Sequence, residues 1–172
     1  MDVFEVFKKR RSMRAYTDQP VEAEKLQAIL EAINLAPSAG NLQGYEVFVV
    51  YSTPMRKAIA AAAYNQEFIV QAPVALVFCA NPARSIGRYG ERGRDLYCVQ
   101  DATIACTYAC LAAVALGLAS VWVGAFDEEG VRQAIGVGKE LRPVAVLPIG
   151  YGARTPDARP RRKLADLVHE LR

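Results

Sequence analysis

Residues 101–126 read DATIACTYACLAAVALGLASVWVGAF, and from Ala102 to Phe126 no residue carries a charge. That length suffices to cross a bilayer, but Gly117 divides it. The helical part, Asp101 to Leu116, rises only about 24 Å at 1.5 Å per residue, and Ala119 to Phe126 has the composition of a strand, regular to Val123–Gly124. The segment therefore predicts a buried helix running into a buried strand over 119–124, not a membrane span. A helix apolar on all sides needs cover on all sides, and its many Ala and Cys residues let another element approach closely. In a chain of 172 residues, that cover calls for a partner subunit, here a second copy of the chain.

Working outward, residues 2–9 suit a short amphipathic helix, and 22–36 a clearer one, with Leu26, Ile29, Leu30 and Ile33 at three- and four-residue spacing before Pro37 and Gly40. Strands are expected at Glu46–Tyr51, Val74–Cys79 and Val144–Gly150. Thr53 is expected to cap a helix that has Pro54 at its first position and runs to Tyr64. Asp127 is expected to cap a helix to Ile135. Residues 81–94 read as a Gly- and Arg-rich loop, 153–163 as a Pro- and Arg-rich arm, and the remainder as a final helix. About four strands interleaved with about six helices make one layered domain spanning residues 1–172.

Composition is globular, with 52% apolar and 23% charged residues. The net charge of +3 is small but uneven. Lys8, Lys9, Arg10, Arg11 and Arg14 crowd one end, and Arg154, Arg159, Arg161, Arg162 and Lys163 the other. Such clusters on a near-neutral body favour local anion sites over a nucleic-acid surface, and no aromatic residues interleave with them as stacking platforms. The four cysteines lie in apolar stretches without a Cys-x-x-Cys pair, as reduced core thiols do. His169 is the only histidine, which disfavours a His-based metal centre or a Ser-His-Asp triad. The start of the chain has no apolar signal region, so the expected location is cytoplasmic. Neither Gly-x-Gly-x-x-Gly nor a Walker A sequence is present.

If the chain leaves its first helix near Lys9, an extended segment places Arg10, Ser12 and Arg14 on one face. Arg11 points away from that face but completes the cluster and is kept among the candidate contacts. Pro156 and Pro160 favour an extended arm that presents Arg159 and Arg161 in the same way. Guanidinium groups offer paired donors matched to phosphate oxygens, so both ends of the chain are expected to meet at one phosphate. A second motif, Ala36-Pro37-Ser38-Ala39-Gly40-Asn41-Leu42-Gln43, packs neutral donors and acceptors into a turn suited to the polar edge of a flat heterocycle.

Taken in order, these pieces resemble the nitroreductase family of FMN enzymes along nearly the whole chain. The resemblance rests on Arg10-Arg11-Ser12-Met13-Arg14, the Ala36–Gln43 motif, Ala72-Pro73, Gln100-Asp101-Ala102, Gly117 to Gly124, Leu147 to Tyr151, and Arg159-Pro160-Arg161. It implies an α+β fold, with a mainly antiparallel central sheet flanked by helices on both faces, in an interlocked homodimer with FMN at the subunit interface. Residues matching Arg10, Ser12, Arg14, Arg159 and Arg161 then bind the phosphate and polar edge of FMN. Those matching Ser38, Ala39 and Asn41 reach it from the other subunit. Val123 and Gly124 lie beside the ring, with the Gly124 amide near N5. Asn65 matches a ring contact of some members, and Gln43 and Gln66 are further candidates. The chain departs from the family at Gly44-Tyr45, where Pro-Trp is common, and at Phe68, where some members carry a lysine that contacts the flavin.

The resemblance further implies that NADH or NADPH reduces the flavin and that a small flat acceptor, such as a nitroarene, a quinone or free flavin, reoxidises it at the same place. No dedicated acid–base residue is expected, and no metal. Other reactions of the same fold (dehydrogenase, flavin reductase, dehalogenase) and a non-catalytic flavin-binding module remain alternatives. Residues 81–94, with Arg88, Tyr89 and Arg92, are expected to form a substrate rim.

Overall fold

The computed structural model describes residues 1–172. Its sheet has four antiparallel strands: β1 (Tyr45–Val50), β2 (Val74–Ala80), β3 (Ala119–Ser120) and β4 (Arg142–Gly150), in spatial order β1-β2-β4-β3. Seven helices surround it: α1 (Val3–Lys9), α2 (Ala23–Asn34), α3 (Thr53–Ala62), α4 (Phe68–Gln71), α5 (Pro82–Arg92), α6 (Cys98–Ala115) and α7 (Glu128–Ile135).

Strand periodicity builds two cores. β2 is buried along its whole length, so both faces must be apolar. Val74, Leu76 and Phe78 share one face with Ala145, Leu147 and Ile149 of β4. They pack against Leu26, Ile29 and Ile33 of α2 and Ala105, Cys106, Ala109 and Ala113 of α6. Ala75, Val77 and Cys79 face the other way with Val146, against Ile59, Ala60, Ile69, Val131 and Ile135 of α3, α4 and α7. The layers are thus helix, sheet, helix, an α+β arrangement with an antiparallel sheet.

The helical run Pro82–Ala115, whose apolar end is α6, is the one long and apolar enough to cross a membrane, but here α6 packs against α2 and the sheet. Its other side reaches the surface at Ile104, Thr107, Tyr108, Leu111 and Ala115.

Several local expectations need correction. Residues 81–94 are not a loop. Pro82 opens α5, and a five-residue π turn, Gly93–Tyr97, joins it to α6, which therefore begins at Cys98 and not at Asp101. Glycine serves geometry here: Gly90 breaks α5 with φ +57°, and a Cβ on Gly93 would lie 2.5 Å from the Ser85 carbonyl oxygen. The strand expected over 119–124 keeps only Ala119–Ser120 in the ladder, and the chain rejoins β4 once, at Val123–Val146. The cap of α3 is Ser52, whose Oγ accepts from the Met55 amide at 3.4 Å, while Thr53 instead accepts from Arg56. No final helix forms beyond one 3-10 turn at Leu164–Asp166. Leu164, Leu167, Val168 and Leu171 are exposed, and a helix this short without packing is marginal in water.

Candidate functional site

The two ends of the chain meet because the segment after α1 pairs both with the edge strand β3 and with the residues that follow β4. The stretch after α1 is extended from Arg10. Ser12 bridges Ser120 in parallel and Tyr16 bridges Gly152 antiparallel. Hydrogen bonds run from the Met13 amide to Ser120 (3.0 Å), from Thr17 to Tyr151 (2.9 Å) and from Ala153 to Ala15 (2.9 Å). Tyr16, buried, donates from its hydroxyl to the carbonyls of Met13 or Pro148 at 3.1 and 3.2 Å, and burial pushes that phenol well above its ordinary range. Gly152 lies in close approach to the same clasp: a Cβ there would lie 2.4 Å from the Met13 methyl carbon, so that the end of the Met13 side chain would have to shift.

This clasp creates a cleft of about 530 Å³, lined by Lys8, Arg10, Arg11, Ser12, Arg14, Arg159 and Arg161 together with Phe7 and residues 156–158. Asp157 is the only carboxylate among the lining residues, and none of the lining arginines lies in an ion pair. Six clustered cations with a single carboxylate among them repel one another, so the cleft is electrostatically disposed to take an anion. Arg11 is partly committed within the chain: its Nη1 donates to the carbonyls of Lys8 and Arg10, closing the end of α1.

The motif at 38–43 forms a second feature. Gly40, Asn41 and Gln43 have φ of +56°, +58° and +49°, a left-handed series that needs outside support. Asp101 supplies it. Its carboxylate is 2% exposed and accepts from the Ala39 amide through one oxygen (2.9 Å) and from the Gly44 amide through the other (3.1 Å). Ser38 Oγ accepts from the Gln43 amide at 3.0 Å. The Gln43 side chain donates to Asn34 Oδ1 at 3.0 Å and is occupied within its own chain. Arg84 of α5 donates to the Leu42 carbonyl at 2.9 Å, and Arg88 to that of Gly40 at 3.4 Å. Ser38 and Ala39 line a cleft of about 520 Å³ with Tyr97, Asp101 and Ile104. Asn41 is exposed.

A third, smaller cleft of about 240 Å³ holds Gly124, Val99, Phe126 and Arg142. Val99 borders both this cleft and that of Ser38. The Gly124 amide donates to no acceptor in the chain. Val123 is different: its side chain is buried in the core, and its amide and carbonyl are both spent on Val146 at 2.9 Å. Asn65 is exposed, with φ +60°. Its neighbour Gln66 donates to Ala125 at 3.2 Å, tying that turn to the Gly124 segment.

Within one chain, then, the arginine cleft and the Ser38 cleft share no lining residue. Asp101 is the residue that sequence reasoning missed as part of the site. The available signal was a lone carboxylate opening an otherwise uncharged helix, since a buried charge requires nearby donors.

The fold agrees with comparison to known proteins. The profile of the Nitroreductase family matches residues 7–66 and 54–151, and the chain belongs to that family. It is 35% identical over 164 residues to an FMN reductase [NAD(P)H] of Bacillus subtilis, covering 88% of this chain and 66% of that one. It is 31% identical over 172 residues to an NADH dehydrogenase of Thermus thermophilus, covering 84% of each. Among solved structures, the hypothetical oxidoreductase YcnD from Bacillus subtilis superposes with a TM-score of 0.90 at 33% identity, over 99% of this chain and 74% of that one.

Proposed function

We propose that this chain is a cytoplasmic, FMN-dependent NAD(P)H oxidoreductase that works as a homodimer and reduces small flat acceptors, nitroarenes or quinones among them, by ping-pong exchange. The observation that carries the reading is the cleft in which arginines from both chain ends converge with one carboxylate among them. A phosphate dianion matches it in charge and in donor geometry. The names of the family relatives, an FMN reductase and an NADH dehydrogenase, support the cofactor and the donor.

Arg10, Ser12, Arg14, Arg159 and Arg161 hold the phosphate and polar edge in this reading, with Arg11 closing α1 beneath them. Ser38, Ala39 and Asn41 contribute from the second subunit, a reading supported by two clefts that share no lining residue within one chain. The surface stripe of α6, Ile104 to Ala115, supports that second copy as its cover. The free Gly124 amide is available to donate to the flavin N5 edge, with Asn65 and the Val123 backbone flanking it. Gln43 acts through Asn34, holding the turn in shape. When bound, FMN supplies hydride acceptance and two-electron delivery. Arg14 or Arg161, placed near the ring, favours its anionic reduced form. No titrating side chain is needed for the reaction.

The test is direct. The purified protein should be yellow, release FMN on denaturation, elute as a dimer and bleach anaerobically with NADH or NADPH. A colourless monomer that ignores added FMN would end the proposal.

A further inference from the structure

Two exposed arginines of α5 lack any carboxylate within ion-pair distance: Arg88 and Arg92. Each stands over an aromatic ring instead. The guanidinium carbon of Arg88 is 5.4 Å from the centroid of Tyr89, and that of Arg92 is 5.4 Å from the centroid of Tyr97. The two rings meet edge to face with centroids 5.1 Å apart, and Arg92 Nε donates to the Tyr97 hydroxyl at 3.0 Å. The break at Gly90 separates the two arginines from a common helix register, and the contacts leave a continuous array of guanidinium, ring, ring and guanidinium.

The position of this array gives it meaning. A Cβ on Gly40 would lie 2.4 Å from the Tyr89 hydroxyl and 2.9 Å from Arg88 Nη1, so the array leans on the turn that carries Ser38 and Asn41. Tyr97 itself lines the Ser38 cleft. Cation–π contact orients a guanidinium but leaves its charge uncompensated. Two such charges, carried at the ends of one ring pair, leave unpaired guanidinium donors for a phosphate dianion. NADPH and NADH differ by one phosphate, on the 2′ position of the adenosine ribose. We propose that Arg88 and Arg92, seated on Tyr89 and Tyr97, bind that 2′-phosphate and make NADPH the preferred donor. The inference rests on the reading above, in which Ser38 and Asn41 lie against the flavin that the donor must reach.

The test titrates the purified full chain with adenosine 2′,5′-bisphosphate and, separately, with adenosine 5′-phosphate. The native chain should bind the bisphosphate at least about tenfold more tightly, a ratio that one bidentate charge pair readily supplies. The Arg88→Ala, Arg92→Ala double variant should bring the two nucleotides within about twofold of each other, and R88K with R92K should recover part of the difference. The NADPH-to-NADH ratio of kcat/KM should fall in parallel. Equal binding of the two nucleotides by the native chain would overturn the proposal, as would an undiminished ratio in a double variant with a native circular dichroism spectrum. Nucleotide binding is read whether or not the protein is yellow, so loss of the flavin reading and loss of this one are separate outcomes.

Discussion

Replacing Asp101 by asparagine tests whether one carboxylate sets the shape of the 38–44 turn. Each of its oxygens takes a different amide, Ala39 at 2.9 Å and Gly44 at 3.1 Å, in a site only 2% exposed. Asparagine has one oxygen and must turn an NH2 group toward the other amide, donor against donor. A hydrogen bond to a charged group contributes roughly 1.5–3 kcal/mol, and a buried unsatisfied donor costs about 1–3. Asp101→Asn should therefore lose about 2–4 kcal/mol, and Asp101→Ala, which strands both amides, more. In a chain of this size each kcal/mol moves Tm by about 2–4 °C, so thermal unfolding of D101N should shift down by roughly 4–16 °C. Amide hydrogen exchange should accelerate at Ala39 and Gly44 before the core opens. A D101N protein that melts within about 1 °C of native, with both amides still protected, would show that the turn holds itself and that the argument for Asp101 is wrong.

Other consequences can be measured alongside. Arg161→Ala and Arg10→Ala should each release FMN while leaving the far-ultraviolet circular dichroism spectrum unchanged; a variant that stays fully flavinylated removes its residue from the site. Gly152→Ala must displace Met13 and should cost about 1–3 kcal/mol, measured by urea unfolding, with weakened FMN binding because the clasp shifts. Burial pushes the Cys79 thiol up to about 12 from 9.0. The folded state therefore keeps a proton that the unfolded chain loses, and this contribution is whole below pH 9 and is lost as pH rises toward 12. Stability of Cys79→Ala, measured against pH, should fall less steeply over that window than the native curve.

The uncharged run 102–126 made the central helix legible, because composition alone demanded burial. Leu26, Ile29 and Ile33 revealed α2 by spacing, and the extended reading of 10–14 and 153–163 located both arginine groups. What the sequence concealed was tertiary in origin. The glycines at 87, 90 and 93 suggested a loop, whereas Gly93 serves close approach to Ser85 inside a helical segment. The tail after Lys163 has helical apolar spacing but nothing in its own chain to bury it. Asp101 looked like the polar boundary of a helix; that its two oxygens accept from the amides at both ends of a turn about sixty residues earlier depends on packing that no local pattern encodes.

The junction of Ser12 with Ser120 and of Tyr16 with Gly152 carries a consequence for biosynthesis. Arg10, Arg11 and Arg14 are made well before the rest of the domain, yet the cleft they line has no second wall until Arg159 and Arg161 are made. All four sheet strands precede residue 151, so layered packing can be advanced while the anion site is still half built. Contacts this distant in sequence are slow to close. A chain truncated before residue 159 should accordingly have a sheet and an anion cleft with one wall, and cofactor capture waits on the arginine arm.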